Sequence, residues 1–123
     1  MIKMIVMLKR RDGMSHAVFV DHYKNTHRPL LESIPETQRF VRRFVVSFPV
    51  PAPQYGEPSY DAVVEMWFDS TKDLDGLFFS ENFKTKVDPD HENFIDLATF
   101  GRIVSQEDVL IGGALPASTG PRT

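Results

Sequence analysis

Alternation marks the first ten residues: Ile2, Met4, Val6 and Leu8 share one face, and Lys3, Ile5, Met7 and Lys9 the other. A period of two predicts a strand. The pattern returns over residues 60–68, where Ala62, Val64, Met66 and Phe68 alternate with Asp61, Val63, Glu65 and Trp67. Residues 39–48, rich in Phe and Val, and residues 99–105 predict two further strands. Between the first and second strands the period lengthens. Arg11-Asp12-Gly13 predicts a turn, Ser15 a helix cap, and the helix runs to about Leu31 or Ser33, before Pro35. Pro29 inside it predicts a loosened or kinked last turn, because proline has no N–H to donate. Residues 49–56 are too proline-rich for a regular element and predict a loop. Ser70 with Asp73 forms a capping-box pair ahead of helical pieces carrying Leu74, Leu77, Phe78 and Phe83. Asp88-Pro89 opens another short helix through Leu97.

The order β-α-β-β-α-β predicts an α+β, ferredoxin-like fold, with a four-stranded antiparallel sheet and helices on one face. The domain is expected to span residues 1–111, with 112–123 a flexible C-terminal tail. No repeat is visible by residue identity. The wholly apolar strand faces belong under the helices. Phe40, Phe44 and Phe48 share a parity and are expected there too, leaving Arg43, Val45 and Ser47 opposite. The other face, with Lys3, Ile5, Met7, Glu65 and Trp67, is too apolar for water and too charged for a dry core. Such a face is expected to meet a second copy in a homodimer whose two sheets enclose a barrel-like interior.

The most informative segment is residues 19–30. At about 100° per residue from Phe19, the residues Tyr23, Leu30 and Ile34 fall on one apolar stripe. His27 lies on the same side, while Asp21, Lys24, Asn25 and Arg28 cover the far side. An imidazole turned toward a sheet is either a hydrogen-bonded core residue or the proton-handling group of a pocket. Its ordinary pKa suits general acid or base work, and His27 is the leading catalytic candidate. Glu65 and Asp61 are candidates to set its tautomer or carry a second proton, with a cross-strand ion pair as the competing reading. Lys3, Met7, Tyr23, Arg43, Trp67 and His91 are the expected pocket residues. Trp67 and Met7 would supply an apolar wall, and Arg43 an anion anchor.

Composition narrows the classes. The chain of 123 residues is 41% hydrophobic and carries a net charge of -3, enough for one core and without the basic stripe of a nucleic-acid partner. It has no cysteine, so disulfides, thiolate nucleophiles and thiolate metal sites are excluded. Four histidines with no His-x-x-x-His pair on one inward face argue against a metal. No apolar run reaches roughly 18 residues, so no membrane span is expected. No leader pattern precedes the first strand, and a cytoplasmic location is expected. Glycine-rich phosphate loops and nucleophile elbows are missing, so no cofactor is expected.

The strand Ile2-Lys3-Met4-Ile5-Val6-Met7-Leu8-Lys9-Arg10, the helix containing Tyr23-Lys24-Asn25-Thr26-His27-Arg28-Pro29-Leu30, the strand Tyr60-Asp61-Ala62-Val63-Val64-Glu65-Met66-Trp67-Phe68 and the later Asp90-His91-Glu92-Asn93-Phe94 together resemble the EthD-domain family. The resemblance covers about residues 1–110. It implies a dimeric α/β-barrel of ferredoxin-like subunits and a pocket lined by the helix-end histidine, His27 here. Relatives include muconolactone methylisomerases and fungal polyketide dehydratases or decarboxylases. A lactone isomerase of the family has a cysteine before the tryptophan of the third strand. This chain has Met66 there, so thiol participation is excluded.

The expected function is a small cofactor-independent lyase or isomerase that moves a proton on an oxygenated cyclic or aromatic metabolite. An EthD-type oxidoreductase or cofactor-free oxygenase, and a non-catalytic small-molecule-binding or stress-related barrel, remain the alternatives. The mixed strand face suits a compact, mostly apolar ligand with one or two oxygens, and suits a nucleotide poorly.

Overall fold

The computed structural model describes residues 1–113. The four strands are β1 (Ile2–Leu8), β2 (Arg43–Ser47), β3 (Ala62–Phe68) and β4 (Gly101–Ser105), in the antiparallel order β2-β3-β1-β4. Helices α1 (His16–His22), α2 (Arg28–Ser33) and α3 (Pro35–Phe40) link β1 to β2, while α4 (Thr71–Phe78) and α5 (His91–Phe94) link β3 to β4. The α+β, ferredoxin-like arrangement expected from the alternation is the one formed. The tail expected from residue 112 lies, beyond Gly113, outside the described residues. No described helix is long and apolar enough to cross a membrane.

Both predicted caps form: Ser15 accepts from the Val18 N–H and Ser70 from the Asp73 N–H, each at 3.1 Å. Gly13, at φ 83°, supplies the left-handed residue of the turn before α1. Two elements differ from expectation. Residues 39 and 40, expected to start the second strand, instead end α3, because Pro35 at the first helical position begins a new helix after Ile34. Phe40 is therefore a helical residue. It packs so closely on Gly76 of α4 that a Cβ there would stand 2.8 Å from its ring. The last helix stops at Phe94 and does not reach Leu97.

The kink expected at Pro29 takes the form of a π turn, Tyr23–His27, closed by the Arg28 N–H on the Tyr23 carbonyl. A second π turn, Phe83–Val87, is closed in the same way by the Asp88 N–H on the Phe83 carbonyl. Each contains an aromatic followed by lysine, and each ends just before Arg28-Pro29 or Asp88-Pro89. The widened turn comes where proline withholds a helix donor. This local repeat is hidden from a comparison of residue identities.

Strand parity divides the sheet. Met4, Leu8, Ala62, Val64, Met66 and Phe68 are buried beneath the helices with Phe19, Leu77 and Phe94. Each fully buried Phe contributes on the order of 1.5–3 kcal/mol through burial. The outer face carries three cross-strand rows: Arg43, Trp67, Lys3 and Ser105; Val45, Glu65, Ile5 and Ile103; and Ser47, Val63, Met7 and Gly101.

Candidate active site

The inner side of the first π turn delivers Tyr23 and His27 into the core, where they are 3% and 5% exposed. His27 Nδ1 lies 3.0 Å from Oδ2 of Asp90, which is buried in the short turn before α5. The same carboxylate accepts from His22 Nε2 at 2.9 Å and from Asn93 Nδ2 at 2.9 Å. An ionised carboxylate only accepts, so His27 turns an N–H toward it from Nδ1 and keeps its lone pair on Nε2. Among the described residues no buried side-chain nitrogen or oxygen lacks a partner. His27 Nε2 and the Tyr23 hydroxyl make no hydrogen bond among those residues; His27 lines one cavity, and Tyr23 lines both that cavity and a second one beside β2 that also contains Arg28.

The cavity that His27 lines has a volume of about 490 Å³ and lies between the sheet and the helices. Met4, Val6, Val64 and Met66 form its floor, and Phe78, Phe79, Phe83 and Phe100 its aromatic side. His91 also lines it, with its ring centre 4.5 Å from that of His27. Asp88 holds His91 Nδ1 through its carboxylate at 3.0 Å and its carbonyl at 3.1 Å. The volume suits a compact organic ligand.

Burial pushes the His27 pKa down from 6.5 to about 4, and the neighbouring His91 adds to this against the opposing pull of Asp90. The ring is therefore neutral, with an available lone pair, at neutral pH. Burial also works against ionisation of Asp90, but the donors Asn93, His22 and His27 outweigh it and hold the carboxyl below its ordinary range. Burial raises Tyr23, so its phenol stays a proton donor.

The other sequence candidates stand elsewhere. Glu65 pairs with Lys3 at 2.9 Å on the outer face. Trp67 lies between Lys3 and Arg43, 4.9 and 5.1 Å from its ring centre, and donates its indole N–H to Glu107 at 2.9 Å. Met7 shares that face. Lys3, Met7, Glu65, Arg43 and Trp67 are thus separated from His27 by the sheet itself. A helix covering one face cannot carry its histidine to residues on the other. Asp61 precedes β3 and binds the Arg10 N–H at 2.7 Å, its guanidinium at 2.8 Å and His16 Nδ1 at 2.7 Å. Burial opposes its ionisation, but these bonds hold its pKa down, as in a structural ion pair. The partner that sets the His27 tautomer is Asp90, not Glu65 or Asp61.

A model of the EthD domain matches residues 11–98. The chain belongs to the EthD domain family. A conidial pigment biosynthesis dehydratase EthD from Metarhizium robertsii is 29% identical over 97 residues, covering 71% of this chain and 68% of that protein. An EthD family protein from Bacillus halodurans superposes with a TM-score of 0.65 at 23% identity, over 88% of this chain and 100% of that one. A dimeric protein of unknown function and ferredoxin-like fold from Bacteroides fragilis gives 0.62 at 14% identity, over 86% and 95%. These two structural likenesses establish the fold.

The EthD match takes in His22, Tyr23, His27, Asp90 and His91, and equally Arg43, Asp61, Glu65 and Trp67, while Lys3 and Met7 precede it. Asp90 escaped the reading of the sequence as the partner of His27. Its signal was its place just ahead of Phe94 and Ile95, whose burial forces this short helix, and the acid with it, onto the core. Only the packing of α5 against α1 shows that the acid meets His22 and His27.

Proposed function

We propose that this EthD protein is a cofactor-independent lyase that eliminates water from an oxygenated cyclic or aromatic-precursor metabolite. The observation that carries the reading is the buried His27–Asp90 pair, with His27 lining a largely apolar cavity of about 490 Å³. His27 Nε2 takes the proton from the carbon beside a substrate carbonyl, and the electron pair moves into an enolate. The Tyr23 phenol donates a hydrogen bond to the enolate oxygen. The enolate collapses, the carbon–oxygen bond at the next carbon breaks, and the imidazolium returns its proton to the leaving hydroxyl. Water departs, a conjugated double bond remains, and His27 is neutral again. Asp90 steadies the transient imidazolium. Returning the proton to a different carbon would make the same site an isomerase. The dehydratase name of the Metarhizium relative agrees with the elimination, and the absence of cysteine suits a reducing, cytoplasmic setting.

The test is a panel of β-hydroxy ketones and hydroxylated ring ketones, followed by the absorbance of the conjugated product. Wild type and His27→Ala are compared with and without oxygen. Water loss by the wild type alone, independent of oxygen, is the expected result. Oxygen-dependent turnover would replace the reading with an oxygenase, and tight binding without turnover with a binding protein.

The outer face supports a homodimer as the working form. Ile103 is 56% exposed in the same row as Ile5 and Val45, and apolar groups in such a patch gain from a second copy. Sedimentation at micromolar concentration should show a dimer that Ile103→Glu weakens at least about tenfold, because a charge would be buried in the interface. Wild type sedimenting as a monomer would refute this.

A further inference from the structure

The lining of the His27 cavity carries two exposed cations that form no ion pair among the described residues. Lys84 follows Phe83 in the second π turn, and Arg102 stands in β4 opposite Val6, on the inner face. Both line the cavity and both are exposed. Neither forms an ion pair among the described residues. The acid beside them, Asp88, is engaged by His91 at 3.0 Å. In a chain with a net charge of -3, two cations against the one carboxylate of Asp88 leave this rim locally positive over an aromatic wall. The Arg102 guanidinium lies 5.7 Å from the centre of the Phe100 ring.

We infer that Lys84 and Arg102 select substrates bearing an acidic group, a carboxylate or an acidic phenolate, on a planar ring. The inference rests on the reading that the His27 cavity receives the substrate. The ring lies along Phe83 and Phe100, the anion meets the two cations at the mouth, and the carbon that loses its proton points inward to His27. Charge-assisted bonds at the rim fix the direction of entry, and the positive rim draws anions toward the opening. Ionic recognition at one end and proton transfer at the other give a polar substrate one productive orientation.

The probes are 6-hydroxy-2-naphthoate and its uncharged amide, titrated by their own fluorescence at pH 7 into the full-length protein. Wild type should bind the acid about tenfold or more tightly than the amide, the lower end of what a charge-assisted bond contributes. That preference should weaken with added salt. Lys84→Met with Arg102→Met should abolish it, bringing acid and amide to equal affinity, and Arg102→Lys should retain part of it. His27→Ala should keep the preference in full. A preference in wild type and His27→Ala without any turnover on the ketone panel would leave the anion rim standing and remove the lyase. Equal binding of acid and amide by wild type would overturn the rim. So would a preference that survives the double Met variant and disappears in Lys24→Met with Arg28→Met, since those residues line a separate cavity of about 450 Å³ beside β2.

Discussion

Replacing His27 with alanine is expected to lower turnover about 10²- to 10⁴-fold, the usual contribution of a positioned general base. Asp90→Asn should lower it about 10- to 10³-fold, since an opposite charge at this range shifts a pKa by about one to three units. The amide oxygen of asparagine can still accept the hydrogen bond that His27 Nδ1 makes to Asp90 at 3.0 Å, so the loss reports the missing carboxylate charge beside the imidazolium rather than the tautomer. The pH profile separates this from a structural effect. With the His27 pKa lowered to about 4, kcat/KM should stay level from neutrality down to about pH 5 and then fall. In Asp90→Asn the acid limb should move lower still, because the group that raises the His27 pKa is gone. An acid limb near 6.5 in the wild type, or a His27→Ala enzyme as fast as wild type, would take His27 out of the chemistry. Circular dichroism and thermal melts of both variants establish that the fold is intact.

The second large effect is on stability in acid. His27 is neutral in the folded protein to about pH 4, but in the unfolded chain it takes a proton near 6.5. Its folded pKa is depressed, so its contribution is complete above about 6.5 and is lost as pH falls from there toward 4. At about 1.4 kcal/mol per pKa unit this interval amounts to ~3 kcal/mol. Asp90 and Asp61, both held below their ordinary range, act in the same direction as pH falls through their folded values. Against a typical stability of about 5–15 kcal/mol, the loss is large enough to see in urea unfolding. Midpoints at fixed protein concentration should fall steeply between pH 7 and 4, and His27→Phe should flatten the part of the curve above pH 4. A wild-type midpoint unchanged over that range would show that the buried neutral imidazole is not there.

The sheet, its faces and both helix caps were legible in the sequence because they are local. Alternation of two residues assigns Met4 and Glu65 to opposite faces whatever the rest of the chain does, and Ser15 and Ser70 need only the N–H groups three residues on. The inward direction of His27, Tyr23 and His91, which line the cavity, was legible for a related reason, as helix positions on the side that meets the sheet. The start of β2 was misplaced because Phe40, Phe44 and Phe48 fit either period, and Pro35 decides for helix only once Ile34 is buried beside it. The choice of cavity face belongs to tertiary structure. Lys3, Glu65 and Trp67 have the chemistry of a pocket, but the helices lie on the other side of the sheet, and a side chain cannot act through a sheet. The partner of His27 belongs to tertiary structure as well. Asp90 and His27 are 63 positions apart, and no periodicity links an acid to an imidazole across that distance. Their meeting depends on Phe94 being driven into the core between Phe19 and Tyr23, which the chain's pattern demands but whose geometry only the packed fold sets.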